Sequence, residues 1–272
     1  MKILSFHLLL ETEWNRVING DCLSNEDIAA IQEADGIILP QGCSEKIYRT
    51  ASTYCTRIFP NYDARFRFPG KTGQTLLFKH CGVPMPRAFI FQSVDEIAGR
   101  ENLYFSYPFV FKSAWGGEGK KVFLVESDAD LKYYLHLARS WENENITGFL
   151  LQEYVPTGGR SLRVTVIGKS MYPYWRVQDT KEAFYTNISK GAIIDTTSSP
   201  HLIGKACQAL KPFCQTTGIN LAGFDFIFAE KDDDPEPLFL EINYSFRTFG
   251  LGGPDSYLKL LVKEVREWRE NF

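Results

Sequence analysis

The sequence predicts a mixed α+β (α/β) protein. Two observations support this class: short apolar runs of strand length alternate with stretches of helical periodicity, and the mixing continues through both halves of the chain. The chain has 272 residues, 44% of them apolar, which is enough for one large or several modest domains with a buried core. We expect three segments: a small N-terminal α/β domain at 1–64, a segment with a glycine loop at 65–150, and a third segment at 151–272.

Residues 1–64 predict a small βαβ-type unit. The run ILSFHLLL at 3–10 is interpreted as a strand and not as a signal peptide, because acidic residues follow it and no small-residue cleavage site does. A helix follows Ser24, a candidate N-cap with Asp27 three residues later, and GIILP at 36–40 predicts the second strand.

The rest of the chain continues the mixture. NYDARFRFPGK at 61–71 is rich in turn formers and aromatic residues and predicts a linker, followed by a helix from Thr72 to His80 that ends at Gly82. Further helices are expected at 128–141, 200–216 and 255–272. Strand-like segments are AFIF, YPFVFK, KVFLVES, FLLQEYV, SLRVTVIG, SMYPYWRV, AGFDFIFAE and PLFLEIN.

Composition and charge exclude several protein classes. A net charge of −3 does not indicate a nucleic-acid partner, and no apolar run is long enough to span a bilayer. The six cysteines are scattered without a C-x-x-C pair, which argues against a disulfide framework or a zinc site and predicts a reducing, cytoplasmic location. The four histidines show no ligand or triad spacing, and G-x-S-x-G is absent from the sequence.

Two apolar strands near the C-terminus carry a candidate metal site. AGFDFIFAE and PLFLEIN predict an antiparallel hairpin, and pairing of Phe228 with Leu238 would set Asp225 across from Glu241. Strand alternation would place Glu241 and Asn243 on one face and Leu240 and Ile242 on the other. Two carboxylates about 5 Å apart repel by about 3 kcal/mol, which a cation such as Mg²⁺ would relieve. The alternative is a polar sheet face open to water.

A lysine and a glycine loop form the second candidate feature. Lys112 closes an apolar strand, and Gly116, Gly117 and Gly119 follow it before Lys120 and Lys121. Glycines allow backbone N–H groups to approach a phosphate chain closely. This is not a Walker A loop, because no Ser or Thr follows the lysines. A glycine-rich hairpin with solvated lysines is the alternative.

Two further patterns indicate nucleotide and anion contacts. The end of FLLQEYV could bind an adenine edge through its backbone, the alternative being an ordinary edge strand. Four arginines and lysines lie in or beside strands, and together they could clamp phosphates and an anionic substrate, or each could be a solvated surface charge. They are Arg163, Arg176, Lys190 and Arg247, with Asn187 beside them as a neutral candidate ligand.

The order of these motifs resembles the ATP-grasp superfamily, and most closely its RimK-type carboxylate–amine ligases. A lysine before a glycine loop, Q-E-Y-V, L-R-V-x-V-x-G, T-N-x-x-x-G, G-F-D and L-E-I-N follow one another within residues 65–245. The resemblance implies the ATP-grasp fold, in which two α+β subdomains grip ATP after a smaller domain.

The resemblance also implies roles for individual residues. Lys71 and Lys112 would contact the ATP phosphates, Gln152, Glu153, Tyr154 and Val155 would form the adenine strand, and Ser161 stands where the family often has a ribose-binding acid. Asp225, Glu241 and Asn243 would bind Mg²⁺, with Mn²⁺ as a substitute and Asn187 nearby. Arg176 would lie near the transferred phosphate. After L-E-I-N the chain departs from the usual family pattern and continues Y-S-F-R-T-F-G-L-G-G, which includes Arg247 and concerns the substrate region.

The function implied by the resemblance is ATP-dependent ligation through an acyl phosphate. The partners would be a small-molecule or peptide carboxylate and an amine, or a thiol, with no nucleic acid and no membrane; a homo-oligomer is left open. One alternative is a small-molecule kinase on the same scaffold. The other is an ATP-binding protein without turnover.

Overall fold

The structure is a computed structural model that describes residues 2–97, 105–117 and 119–270. Three sheets follow one another along the chain. We call them the N-terminal sheet, the small sheet and the large sheet. This architecture confirms the predicted mixed α+β class.

The N-terminal sheet is parallel and contains the predicted βαβ unit. Its strands are β1 (Ile3–Ser5), β2 (Trp14–Asn15), β3 (Gly36–Ile38) and β4 (Ile58–Phe59), with helices α1 (Asn25–Glu33) and α2 (Glu45–Tyr54) between them. The strand order is β2-β1-β3-β4. Helix α1 begins with a capping box in which Ser24 and Asp27 satisfy each other's backbone N–H groups.

Strand β1 is shorter than the apolar run that predicted it. The chain turns after Phe6, where Leu10 N–H donates to the carbonyl of His7 at 3.2 Å. Leu8 and Leu9 are therefore exposed, by 75% and 63%, although their residue types favour a buried strand.

The segment predicted as a linker is largely helical. It forms α3 (Asp63–Arg67) and the start of α4 (Gly70–Cys81). Tyr62 is completely buried and packs edge-on against Phe66, so aromatic packing orders a segment whose composition resembles a loop. Helix α4 ends at Gly82, as predicted, in the left-handed conformation that glycine favours.

The small sheet is antiparallel. It consists of β5 (Ala88–Phe91), β6 (Phe109–Ser113), β7 (Val122–Val125) and β8 (Phe149–Glu153), and helix α5 (Asp128–Asn143) covers it. The order is β5-β8-β6-β7, so β8 has a partner on both sides and is not an edge strand. The predicted segment boundary between residues 150 and 151 falls inside β8, which belongs to this sheet.

The large sheet is also antiparallel. It contains β9 (Arg160–Ile167), β10 (Ser170–Val177), β11 (Ile193–Asp195), β12 (Leu221–Ile227) and β13 (Leu238–Asn243). Helices α6 (Pro200–Thr217) and α7 (Pro254–Glu270) pack with it, and the last two residues of the predicted C-terminal helix lie outside the described residues. The order is β11-β10-β9-β12-β13, which leaves β13 at an edge.

The main hydrophobic core joins the N-terminal sheet to the large sheet. Leu4 and Ile37 belong to the same buried cluster as Phe224 and Phe226 of β12. The small sheet has a separate aromatic core with α5. Within the described residues, no helix is both long enough and apolar enough to cross a bilayer.

Candidate active site

A cleft lies between the small sheet and the large sheet. Strands β6 and β8 contribute one wall, and β10, β12 and β13 contribute another. The empty space of the cleft, including the part open to solvent, is about 810 Å³. Its polar lining includes Lys112, Arg176, Asp225 and Glu241, so basic and acidic groups from different elements meet there.

Asp225 and Glu241 are direct neighbours across β12 and β13, as predicted. The predicted pairing of Phe228 with Leu238 is wrong. A β-bulge between Asp225 and Phe226 shifts the register by one residue, so Leu238 pairs with Ile227. The bulge also corrects the predicted position of Leu240. This residue lines the cleft together with Glu241, whereas Ile242 is buried in the main core.

The Asp225 carboxylate is buried and fully engaged in hydrogen bonds. Arg163 donates from Nε to Oδ1 and from Nη2 to Oδ2, both at 2.7 Å. Arg176 Nη2 lies 2.9 Å from Oδ1, and Asn243 Nδ2 donates to Oδ2 at 3.2 Å. A carboxylate has about four lone-pair positions, so these contacts use its acceptor capacity.

Two arginines keep Asp225 ionised. Burial by itself raises the pKa of this carboxyl, but the charges of Arg163 and Arg176 and their hydrogen bonds outweigh burial and lower the pKa below its ordinary value. Burial likewise lowers the pKa of the Arg163 guanidinium, and Asp225 more than reverses this effect. The buried group is therefore an ion pair, not a protonated acid.

Glu241 is the more accessible carboxylate. Its side chain is 30% exposed, and Lys71 Nζ lies 3.7 Å from Oε1. Among the residues that the structure describes, no three His, Cys, Asp or Glu side chains converge as metal ligands. A cation would thus draw on two carboxylates, the Asn243 amide oxygen and ligands from outside the protein. This donor set fits Mg²⁺, which prefers hard oxygen ligands and keeps water or phosphate oxygens.

Two lysines carry positive charge at this end of the cleft. Lys112 lines the cleft from β6 and is 9% exposed, so it is not a solvated surface lysine. Burial lowers the pKa of Lys112 to about 8, the charge of Lys71 lowers it further, and Glu241 and Asp225 oppose the shift. Lys71 is also buried and donates from Nζ to the carbonyl of Gly116. It stands beside the cleft and joins α4 to the glycine loop.

The cleft also has apolar lining, which suits a flat aromatic ring. Gln152, Glu153, Tyr154 and Val155 all line it, from the end of β8 onward. The Glu153 carboxylate is not directed to the cleft alone, because Arg87 binds both of its oxygens at 3.1 Å. The remaining apolar lining consists of Val110, Val122, Ala183, Phe184, Ile227 and Leu240.

Residues 183–187 form a further wall of the cleft. Asn187, a predicted site residue, lies on this wall. Tyr185 donates from its hydroxyl to the carbonyl of Val122 at 2.6 Å, which connects this segment, lying between β10 and β11, to the small sheet. Gln178 holds the segment by donating to the carbonyl of Tyr185 at 2.8 Å.

Several predicted site residues lie away from the lining of the cleft. Ser161, predicted to contact the ribose, is 1% exposed, and its Oγ accepts a hydrogen bond from Arg176 Nη2 at 2.9 Å. This position favours support of Arg176 over a ribose contact. Gly119 lines the cleft, whereas Gly116 and Gly117 are exposed and outside its lining. Lys190 and Arg247 are exposed and also outside that lining.

The sequence reasoning missed three contributions. Arg163 was noted only as one of several basic residues, although a charged residue inside the buried run SLRVTVIG signals a partner. Phe184 and Tyr185 come from an irregular segment with no strand or helix periodicity to mark them. Gln74 contacts strand β13 from α4, through a hydrogen bond that sequence spacing does not reveal.

Comparison with known proteins agrees with this geometry. The model of the RimK-like ATP-grasp domain matches residues 71–256. The chain is 28% identical over 222 residues to a probable alpha-L-glutamate ligase of Alkalilimnicola ehrlichii, covering 79% of this chain and 70% of that protein. It is 28% identical over 166 residues to a probable alpha-L-glutamate ligase of Legionella pneumophila, covering 60% of this chain and 51% of that protein. The chain therefore spans only part of these relatives.

Solved structures share the fold at low sequence identity. The RimK domain protein ATP-grasp of Sphaerobacter thermophilus matches with a TM-score of 0.59 and 13% identity, covering 97% of this chain and 99% of that chain. A D-alanine–D-alanine ligase of Bacillus anthracis matches with a TM-score of 0.62 and 13% identity over the whole of both chains. These likenesses define the fold and not the substrate. Because the domain match covers more than half of the sequence, this chain belongs to the RimK-like ATP-grasp family, as the order of its motifs predicted.

Proposed function

We propose that this protein is an ATP-dependent carboxylate–amine ligase that uses Mg²⁺, or Mn²⁺ in its place. The observation that carries the proposal is the lining of one cleft, where apolar side chains stand beside Lys112, Arg176, Asp225 and Glu241. An aromatic base and a polyphosphate fit a lining that offers both apolar side chains and cationic groups. Family membership supports the same activity.

Each part of the cleft has a task in this proposal. The backbone of Glu153 to Val155 and the apolar lining would hold the adenine ring. Lys112 and Arg176 would bind the phosphate oxygens and offset the charge on the transferred group. Fixing the two reactants in line is the larger part of such catalysis, since phosphoryl transfer needs little acid–base assistance.

The reaction has two balanced steps. A carboxylate oxygen of the first substrate forms a bond to the γ-phosphorus while the bond between that phosphorus and the ADP oxygen breaks, giving an acyl phosphate and ADP. The amine nitrogen then attacks the acyl carbon, the bond to phosphate breaks, and the amine proton passes to the solvent or to phosphate. The products are an amide, ADP and phosphate.

The divalent cation would be held by Glu241 and Asn243, with Asp225 joining where Arg176 now occupies a lone pair. When bound, the cation supplies charge neutralisation on the phosphate oxygens. Arg163 keeps its two hydrogen bonds to Asp225 throughout, so the carboxylate stays ionised and fixed.

The substrates belong to the amino acid and peptide class in this proposal. The names of the relatives, probable alpha-L-glutamate ligases, support an amino acid as one partner. Lys190 and Arg247 remain the predicted contacts of an anionic substrate. A cytoplasmic location remains a prediction from the sequence, and the oligomeric state remains open.

The test is ATP turnover with panels of amino acids and short peptides, supplied singly and in pairs. We expect ADP release that requires both a carboxylate substrate and an amine substrate. We also expect an amide product, detected by mass spectrometry. A phosphorylated product from a single hydroxyl substrate would replace the ligase by a kinase. Binding of ATP without turnover by any pair would favour the non-catalytic alternative. Glu241→Gln serves as the inactive control.

A further inference from the structure

A side chain of α4 closes the outer edge of strand β13. Gln74 donates from Nε2 to the carbonyl of Ile242 at 2.8 Å and accepts from the N–H of Ile242 at 2.9 Å. A carbonyl only accepts and an N–H only donates, so this pair fixes the orientation of the amide. The amide thus takes the place of a neighbouring strand at one residue of β13.

Ile242 lies between the two accessible candidate metal ligands. Its own side chain is 2% exposed and belongs to the main core. Glu241 and Asn243 flank it, and Asn243 reaches the Asp225 carboxylate. The backbone that Gln74 holds is therefore the backbone from which both ligands project.

Helix α4 makes a second contact with the same strand. Lys71 precedes Gln74 by one helical turn on the same face, and its Nζ lies 3.7 Å from Glu241 Oε1. The N–H of Lys71 donates to the carbonyl of Ala114 at 2.8 Å, which ties the start of α4 to the end of β6. Gly70 permits this approach, because a Cβ there would meet that carbonyl at 2.8 Å. The first turn of α4 is thus hydrogen-bonded to the small sheet, and Gln74, one turn later, is hydrogen-bonded to β13.

We propose that Gln74 is a positioning residue for the divalent-cation site, acting through the backbone of Ile242. The inference rests on the proposed function, because it concerns the same cation. Only a side chain with one donor and one acceptor in amide geometry can make both bonds, and asparagine is one methylene too short to replace it. Without the Gln74 amide, β13 is held less firmly, because it is an edge strand and lies next to a bulge. Glu241 and Asn243 would then move away from Asp225.

Mn²⁺ binding measured by electron paramagnetic resonance, with a non-hydrolysable ATP analogue present, tests the proposal directly. Gln74→Met keeps the volume and removes both hydrogen bonds. Residues that orient metal ligands typically contribute about 10–100-fold in affinity, so we expect a weakening of about this size. Leu76→Ala, on the exposed face of the same helix, is the matched control and should bind Mn²⁺ like the wild type. Raising the Mg²⁺ concentration should restore kcat in Gln74→Met at a temperature where thermal unfolding without ligand shows the variant to be fully folded, which separates weak metal binding from loss of folded protein.

A second variant covers the case in which Gln74→Met does not fold. Gln74→Glu keeps the acceptor for the Ile242 N–H, loses the donor to the Ile242 carbonyl, and should also weaken Mn²⁺ binding. Wild-type Mn²⁺ affinity in either folded variant overturns the role of Gln74 and leaves the proposed function intact. A wild-type protein that binds no Mn²⁺ with the nucleotide analogue overturns both.

Discussion

Arg163 and Asp225 lie directly opposite each other on β9 and β12, and their side chains form two parallel hydrogen bonds of 2.7 Å. Arg176, on β10, makes a single contact with the same carboxylate. The two arginines thus differ in geometry. A bidentate buried pair suits a permanent structural role, and a single contact suits exchange with a ligand.

This difference predicts unequal effects of two matched substitutions. Arg163→Gln should lower the free energy of unfolding by about 3–5 kcal/mol, because it leaves Asp225 buried with its main partner removed. Arg176→Gln should cost less stability, since Asp225 keeps both bonds to Arg163, but it should impair ATP turnover. Urea unfolding and ADP release measure the two quantities. Equal losses of stability in Arg163→Gln and Arg176→Gln would contradict a structural role for Arg163 and a ligand-binding role for Arg176.

The same pair predicts a dependence of stability on pH. The folded-state pKa of Asp225 lies below the unfolded value of 3.8, because the two arginines outweigh burial. Its contribution to stability is therefore present above pH 4 and is lost as the pH falls through the folded-state pKa. We expect the stability difference between wild type and Asp225→Asn to be constant between pH 5 and 7 and to shrink below about pH 4. A difference that is unchanged at pH 2.5 would show that Asp225 contributes no charge to the fold.

Because the pKa of Lys112 is lowered, we expect nucleotide binding to depend on pH. Burial, reinforced by Lys71, lowers the pKa of Lys112 to about 8, so its ammonium loses its proton as the pH rises through this value. Phosphate binds the charged form better, and ATP affinity should fall by up to about tenfold per pH unit above 8. Calorimetric titration without metal between pH 7 and 9.5 measures this. Lys112→Arg keeps its charge and should give a flat profile; the same slope in both proteins would assign the effect to another group.

The candidate metal pair could be predicted from the sequence because it depends on local strand alternation. Asp225 and Glu241 belong to one hairpin, and the turn between them limits the choice of register. The bulge beside Asp225 could not be predicted, since no residue pattern marks it, and this is why Leu240 was assigned to the wrong face.

Contacts between distant segments were beyond prediction from the residues alone. The pairing of Arg163 with Asp225 joins strands separated in sequence by β10, β11 and α6. The bonds of Gln74 to Ile242 depend on how a helix docks on a sheet edge. The resemblance to a family supplied the architecture, but it did not specify these contacts.

Glu241 offers the sharpest test of the metal assignment. Its side chain is 30% exposed, but its ion-pair partner Lys71, at 3.7 Å, is buried, so Glu241→Gln should lower the free energy of unfolding by about 1–3 kcal/mol and leave the protein folded. Turnover should fall by about 10²–10³-fold, by analogy with the loss of one preorganised electrostatic contact. ADP release and thermal unfolding of the same preparation measure both effects. Near-normal ADP release by Glu241→Gln would end the assignment of this residue as a metal ligand.

We expect bound nucleotide to protect the glycine loop from cleavage by trypsin. Gly116 and Gly117 are exposed between β6 and β7, and Lys120 and Lys121 follow as trypsin sites. Lys71 already anchors the carbonyl of Gly116, so a bound polyphosphate between Lys112 and the loop should hold the loop closed. If cleavage requires the open form, a nucleotide analogue at about ten times its Kd should slow cutting here about tenfold.

Cleavage after Lys231, in the exposed acidic connection between β12 and β13, is an internal control because this residue does not line the cleft. Its rate should not respond to the nucleotide. Mass spectrometry of a timed digest reports both sites in one sample. Equal rates at Lys120 with and without the analogue would mean that the loop does not close over ATP, and the phosphates would then depend on Lys112 and Arg176 alone.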